Sequence, residues 1–441
     1  MNSTVSPLAA LPAAKTTCDV LVIGAGIVGV AVALRLQQDG RRVCVIDRDG
    51  VAAQTSRGNA GALAFGDILP LASPRILRKV PRWLLDPLGP LTIRPSYLPR
   101  LAPWLFRFWR ASRSERVRAG AAAQAALMSL SAAETPLMFA RAGASDMLRS
   151  DGALHLYESE AELEAAEPGW KARADHGIAF THLHGAQAIA ELQPGLSPAL
   201  VAATFVPRWM TVSDPLRVTE ALARQLEREG GQLWRADAIA LAPRAEGISV
   251  SLRGGATLVA QRVVVAAGAW SHRLARTISE AIPLETERGY NTTLPTTAFD
   301  LKRQLTFEGH GFVVTPLGCG VRVGGAVEFA GLDAPPNYAR ADALLAKAKR
   351  FMPELRTEGG TQWMGFRPSL PDSLPAIGPA AADRRIVYAF GHGHLGLTQS
   401  AATARLVADI VAGRPPPLDL TPFRPQRFGS AGTSSTQEGH A

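Results

Sequence analysis

Residues 19–24 (Asp-Val-Leu-Val-Ile-Gly) run apolar into a glycine, and glycines return at 26 and 29. Few features restrict a fold more. The apolar run reads as a parallel strand buried on both faces, and the glycines dictate how the chain leaves it. Gly24 permits a tight turn, Gly26 lets a pyrophosphate reach the backbone, and Gly29 lets the next helix pack against the strand. Residues 27–39 carry apolar groups at helical spacing, which puts Ile27 and Val28 at a helix start. Free N–H groups and the positive dipole end at such a start suit phosphate. Arg42–Asp47 reads as a second buried strand, ending on Asp47, 23 residues after Gly24, with Arg48 beside it. Asp47 is placed to accept a hydrogen bond from a ribose hydroxyl. A tight glycine turn alone would not explain that acid. Strand, turn, helix, strand and acid together predict a dinucleotide site at the opening of a doubly wound sheet.

A second match, Gly391-His392-Gly393-His394-Leu395-Gly396, also lies between a strand (Arg385–Phe390) and a helix (397–412). A second nucleotide fold would need another strand ending in an acid about 20 residues later. This chain instead leaves its helix at Gly413 and enters Pro415-Pro416-Pro417, so a separate nicotinamide site is excluded. The turn is better used to aim a helix dipole at a group that becomes negative. The pyrimidine side of a reduced flavin fits, which makes Gly393, Leu395, Gly396, Leu397 and Thr398 expected contacts. The cofactor predicted is FAD, with electrons drawn from the organic substrate itself. Gln261–Ala267 reads as a further buried strand that ends at Gly268, another expected contact.

At 441 residues the chain suggests about two domains. The fold class expected is α/β: a Rossmann-like FAD-binding domain built from discontinuous segments, with an inserted α+β substrate domain containing a mixed or antiparallel sheet. The FAD-binding parts fall at 18–75, 211–283 and 363–428, and the substrate parts at 146–210 and 284–362. Asp214 opens a helix closed by Gly230-Gly231, and 284–335 alternates as strands. Residues 1–17 read as a loose tail rather than a signal peptide, and 429–441 as a disordered tail. The stretch 76–145 is an insertion with helices. Its prolines, which recur from Pro70 to Pro103, are expected to forbid long helices before the alanine-rich helical stretch at 114–143.

Cys18, Cys44 and Cys319 form no C-x-x-C pair, so neither a disulfide framework nor a metal site is expected. Buried, inert thiols in a reducing compartment are the simpler reading for Cys18 and Cys44. No apolar run reaches the roughly 18 residues of a spanning helix. The net charge of +9 is local: residues 75–118 hold eleven Arg or Lys against Asp86 and Glu115, which equals the whole excess.

Several motifs together carry a family resemblance. They are the first glycine loop, Thr55-Ser56-Arg57-Gly58-Asn59-Ala60-Gly61, Arg288-Gly289-Tyr290, Gly365-Phe366-Arg367-Pro368-Ser369-Leu370-Pro371-Asp372, and Gly391 to Thr398. From Asp19 to Phe428 the chain resembles the D-amino-acid oxidase superfamily, and within it most resembles the bacterial D-amino-acid dehydrogenases. That resemblance implies that Ser56, Asn59, Ala60 and Gly61 border the flavin and that the Gly391 turn closes over its ring. It implies that Arg367 holds the substrate carboxylate, for which a guanidinium offers two parallel hydrogen bonds. An ion pair with Asp372 is the bland alternative. Tyr290 matches a substrate-side tyrosine, or a core tyrosine with its hydroxyl satisfied. His394 departs from other members and is expected to face the pocket; His310 and His392 read as structural.

The activity implied is oxidation of a D-amino acid to a 2-oxo acid and ammonia, with electrons passed to a quinone or another acceptor. An oxygen-using oxidase and a dehydrogenase of D-hydroxyproline or another cyclic imino acid are rivals of the same family. A non-catalytic flavin scaffold or nucleic-acid-binding protein is the rival of another class. The carboxylate clamp argues against a scaffold, and no nucleic-acid fold signature accompanies the basic patch. Residues 68–118 resemble the proline- and aromatic-rich insertion of the dehydrogenases. With Trp83, Trp104 and Trp109 among basic residues, a peripheral contact with an anionic membrane, on the cytoplasmic side of the inner membrane, ranks above a substrate lid.

Overall fold

The computed structural model describes residues 8–11, 18–74 and 89–429. The tail residues 1–7, 12–17 and 430–441 lie outside them, as do 75–88, which include Arg78, Lys79, Arg82 and Trp83.

Cys18–Ile23, Val43–Asp47, Gln232–Arg235, Thr257–Val265 and Ile386–Phe390 build the parallel part of a nine-stranded sheet. Alternation along these strands sorts side chains to two buried faces. Val20, Val22, Val43 and Val45 pack with helices Ile27–Gln38, Pro215–Arg228 and Gly396–Ala412. Leu21, Ile23, Cys44 and Ile46 face the other way, against an antiparallel meander (Ala238–Arg244, Gly247–Leu252) and the short helix Ser271–Arg276. Asp214 caps helix Pro215–Arg228 by accepting from Leu216 N and Arg217 N. Ala9–Ala10, expected to be part of a loose tail, pairs in parallel with Trp234 and Arg235 at the sheet edge.

A second nine-stranded sheet gathers Ala153–Tyr157, Thr181–His184, Ala202–Val206, Glu285–Leu294, Gln304–Phe307, Phe312–Leu317, Gly320–Phe329 and Thr361–Ser369, with Leu91–Ile93 added to Gly320–Phe329. Most of its pairings are antiparallel. Strand Thr361–Ser369 runs the full length of Glu285–Leu294, in a register that sets Arg367 opposite Glu287 and Gly365 opposite Gly289.

The expectation of no long helix among the prolines fails at Leu98–Ala111, which is 14 residues long and contains Pro103. Pro99 sits at the second helical position, where an N–H has no intrahelical partner anyway. Pro103 forfeits one bond, and packing of Leu101 and Trp104 against Phe329 holds the helix regardless. Trp104 is therefore a core residue, stacked on Phe108 at 5.2 Å, and not available to a membrane. Phe106 and Trp109 are the exposed aromatics of this helix, with Arg110 over Phe106 and Arg113 over Trp109.

Candidate active site

A groove runs across the ends of the parallel strands, and the first three glycines shape it in different ways. Gly24 has φ +114°, and a Cβ there would lie 2.4 Å from the Ala266 carbonyl oxygen. At Gly29 a Cβ would come within 1.9 Å of the Gly24 oxygen, so only glycine lets helix and turn touch. A Cβ on Gly26 would meet the Ser56 hydroxyl at 3.2 Å and would otherwise occupy the groove itself. Gly26 is the N-cap of helix Ile27–Gln38 and has no side chain of its own; Ser56 takes the Ile27 N–H, and Gly26, Ile27 and Val28 line the groove at the helix start.

Asp47 ties the floor together. Its Oδ2 accepts from Ala25 N at 2.8 Å, and its Oδ1 from Asp49 N at 2.8 Å and Gly50 N at 3.0 Å. Burial pushes its carboxyl above the ordinary value, against the pull of those three amides. A carboxylate has about four lone-pair sites, so one remains for a further donor. Arg48 lies over the Trp270 ring at 3.9 Å, and Trp270 meets Phe366 edge-on at 5.3 Å. Ser56 accepts from Ile27 N at 3.0 Å.

Ile27, Val28, Asn59, Gly268, Gly393, Gly396 and Leu397 line the same groove with Gly24, Gly26, Asp47, Arg48 and Ser56. Five expected contacts do not. Gly29 is consumed by packing, and Leu395 is buried in a cluster with Met128, Trp170 and Trp209. Thr398 donates to Ala62 O and accepts from Ala64 N, which spends its hydroxyl on the backbone. Gly61 O accepts from Val212 N, and a Cβ on Gly61 would strike Leu317 at 2.6 Å; Ala60 precedes it outside the lining. The loop carrying them is held from behind by buried Arg322, which donates to Arg57 O, Asn59 O and Thr293 Oγ1. Arginine between Val321 and Val323, in an apolar strand, is the signal that could have marked that role.

The Gly391 turn bonds to the second sheet, with Gly393 N donating to Pro368 O at 2.7 Å. His392 is buried, its Nε2 is 3.0 Å from Thr403 Oγ1, and burial lowers its pKa to about 3. Burial thus favours its neutral form, and it lines the groove. His310 contacts Glu158 at 2.6 Å. His394 is exposed, with Nε2 at 3.1 Å from Asp67 Oδ2, and Arg173 lies 3.6 Å from the other oxygen. Burial works against the Asp67 carboxylate, but His394 and Arg173 outweigh it and its pKa falls below the ordinary value.

Arg367 stands beside this turn. Phe366 O accepts from Thr55 Oγ1 at 2.8 Å, and Pro368 lines the groove. The guanidinium crosses Gly289, where a Cβ would stand 2.3 Å from Nη2. Nη1 donates to Ala326 O at 2.8 Å and Nη2 to Gly325 O at 3.4 Å. Those bonds use two of five N–H donors, and no carboxylate bonds the others among the described residues. Asp372 pairs with Arg427 at 2.7 Å instead of with Arg367. Burial lowers the Arg367 pKa, opposed by Glu287, yet a guanidinium stays charged. Tyr290 differs: its hydroxyl donates to Glu328 at 2.5 Å and accepts from Asn337 N at 3.1 Å. Its ring is buried, and burial pushes its pKa up to about 12. Glu328 also holds Arg94 at 3.0 Å and Arg288 at 3.2 Å. Tyr290 thus closes a buried ion cluster.

Residues 19–410 match the family model described as FAD dependent oxidoreductase (DAO). The chain belongs to that family. A D-amino-acid oxidase of Bradyrhizobium diazoefficiens is 37% identical over 423 residues, covering 93% of this chain and 98% of the relative. A D-amino acid dehydrogenase of Rhizobium johnstonii is 31% identical over 417 residues, covering 93% of this chain and 100% of the relative. Among solved structures, glycine oxidase from Geobacillus kaustophilus superposes with a TM-score of 0.73 at 22% identity, over 93% of this chain and 99% of that one. The fold is shared with that enzyme. This FAD-dependent oxidoreductase has a groove that suits its cofactor: the space kept open by Gly26, the helix start that lines it and the spare capacity of Asp47 match a pyrophosphate flanked by ribose.

Proposed function

We propose that this FAD-dependent oxidoreductase deaminates a D-amino acid to a 2-oxo acid and ammonia. The observation that carries the reading is Arg367: a charged fork with unspent donors, adjacent in its strand to groove-lining Pro368, whose carbonyl the Gly391 turn bonds. Gripping a carboxylate in two parallel bonds would fix both position and orientation of the α-carbon. The bound flavin supplies hydride acceptance from that carbon. The second sheet, which carries Arg367 and Gly289, serves as the substrate domain. His394, exposed on the turn and paired with Asp67, would select among substrate side chains. Relatives named for D-amino-acid oxidation or dehydrogenation, aligned over nearly their whole length, support the substrate class.

The acceptor in this proposal is a membrane quinone. Exposed Phe106 and Trp109, each beside an arginine, give helix Leu98–Ala111 a face suited to an anionic headgroup region. Among the described residues no helix is long and apolar enough to cross a membrane. The relative named D-amino-acid oxidase favours a second reading in which oxygen reoxidises the flavin. Mixing substrate-reduced protein with oxygen or with a soluble quinone separates the two, and 2-oxo acid and ammonia should appear one to one. Sedimentation with anionic vesicles over a salt series tests the membrane contact, which should loosen with salt and keep an apolar remainder.

A further inference from the structure

Apart from the cofactor groove, a cavity of about 650 Å3 opens between the start of helix Leu98–Ala111 and the short helix Ser271–Arg276. Among the described lining residues the two share Arg273 alone. Three guanidiniums stand at the cavity: Arg100 from the long helix, Arg273 and Arg276 from the short one. Most arginines of this fold that lie near an acid are paired with it, such as Arg42 with Asp19 at 2.8 Å and Arg385 with Asp383 at 2.7 Å. Here the side chains of Arg100 and Arg276 have no hydrogen-bond or ion-pair partner among the described residues. Arg273 reaches only Asp333, at 3.8 Å, and that carboxylate is 91% exposed.

The walls continue the pattern. Thr286 is 2% exposed, and its hydroxyl has no partner among the described residues, a cost that a bound acceptor would remove. Glu285 forms no ion pair with the guanidiniums: its oxygens take the Tyr97 hydroxyl, at 3.0 Å, and Thr286 N, at 2.8 Å. His272 lies 3.0 Å from Ala269 O, which can only accept, so Nδ1 carries the proton and Nε2 is left as an acceptor. Three arginines against Glu285 and Asp333 leave a net charge of +1 at the cavity.

We propose that this cavity is a phosphate site, which takes a phosphate ester between Arg100, Arg273 and Arg276 with the Thr286 hydroxyl donating from the wall. A carboxylate presents two oxygens in one plane, whereas guanidiniums from two elements call for oxygens in several directions. A phosphate diester carries the single negative charge that balances the site. The site rests on none of the assignments at the cofactor groove. Its ligand is either the headgroup of an anionic phospholipid, given the exposed Leu98, Phe106 and Trp109 on the same long helix, or a soluble phosphate ester.

Calorimetric titration of the full-length, flavin-loaded protein with inorganic phosphate tests the proposal. Saturable binding is expected, weakened about tenfold by Arg100→Gln and likewise by Arg276→Gln, with flavin absorbance unchanged. Thr286→Val, nearly isosteric, should also weaken it and guards against misfolding of the charge variants. Vesicles of phosphatidylglycerol that displace phosphate, where phosphatidylcholine does not, identify a lipid headgroup. Vesicles without effect on phosphate binding identify a soluble ester, and either result supports the site. The proposal is overturned if the wild type shows no saturable binding, or if all three variants bind phosphate as the wild type does.

Discussion

A single methyl group should disarm the proposed carboxylate clamp at Arg367 while leaving the cofactor in place. In Gly289→Ala the new Cβ would stand 2.3 Å from Arg367 Nη2 and 2.4 Å from Cζ, whereas ordinary contact begins at 3.4 Å. The guanidinium must retreat by about 1 Å, off the Ala326 and Gly325 carbonyls that aim it. The displaced atoms are the far end of a long side chain, and Gly289 does not occupy the left-handed region, so the fold should survive. A misplacement of about 1 Å at a positioning group can cost about 100-fold in rate. Complete removal of the group, in Arg367→Ala, sets the outer bound. Losing one partner of a buried charge pair costs about 2–5 kcal/mol, or roughly 30- to 3,000-fold. Anaerobic stopped-flow reduction of the bound flavin by D-amino acids should therefore slow by about 100-fold in Gly289→Ala at limiting substrate. Flavin content should be unchanged, and amines without a carboxylate should be unaffected. If both variants reduce at the wild-type rate, the carboxylate has another partner and the placement of the substrate is wrong.

Three further outcomes bear on separate parts of the account. Tyr290→Phe leaves buried Glu328 short of a donor, so melting should fall by an amount worth about 1–3 kcal/mol while kinetics stay near wild type; a collapse of kinetics at constant stability would put Tyr290 against substrate. Gly26→Leu should yield colourless protein, because the side chain would enter the groove; yellow protein with normal FAD content would refute the cradle. His392 is held at about 3 in the folded chain by burial, below its ordinary value of 6.5, so the unfolded chain takes up the proton first as pH falls. Its contribution is complete above about 6.5 and is lost progressively toward about 3, amounting to about 2 kcal/mol by pH 5. Thermal melts of His392→Asn should thus lose less stability between pH 7 and pH 5 than the wild type does, and equal losses would contradict the burial argument.

What could be read in the sequence was what short-range backbone geometry decides. Gly24, Gly26, Gly29 and Asp47 constrain a turn and two strands within 24 residues, and the groove lies where that turn predicts. What escaped was set by partners distant along the chain. Tyr290 turns to Glu328 because strand Gly320–Phe329 brings that acid beside it. Gly289 matters because the register across strands sets its bare Cα beneath Arg367, 78 positions later. Trp104 faces inward because Phe329 covers it, which no local pattern of prolines and aromatics reveals. Thr398 lies one turn into a helix whose start lines the groove, and its hydroxyl is claimed by the backbone of residues 62–64.

The central claim is that a D-amino acid, held by its carboxylate at Arg367, gives its electrons to FAD in this groove. The absorbance of the bound flavin under anaerobic conditions, on addition of a series of D-amino acids and their L enantiomers, tests it most directly. A yellow protein is expected that one or more D-amino acids bleach, with the L forms inert and Arg367→Ala unbleached on the same timescale. A flavin that stays oxidised with every D-amino acid, or that bleaches equally with Arg367→Ala, would contradict it.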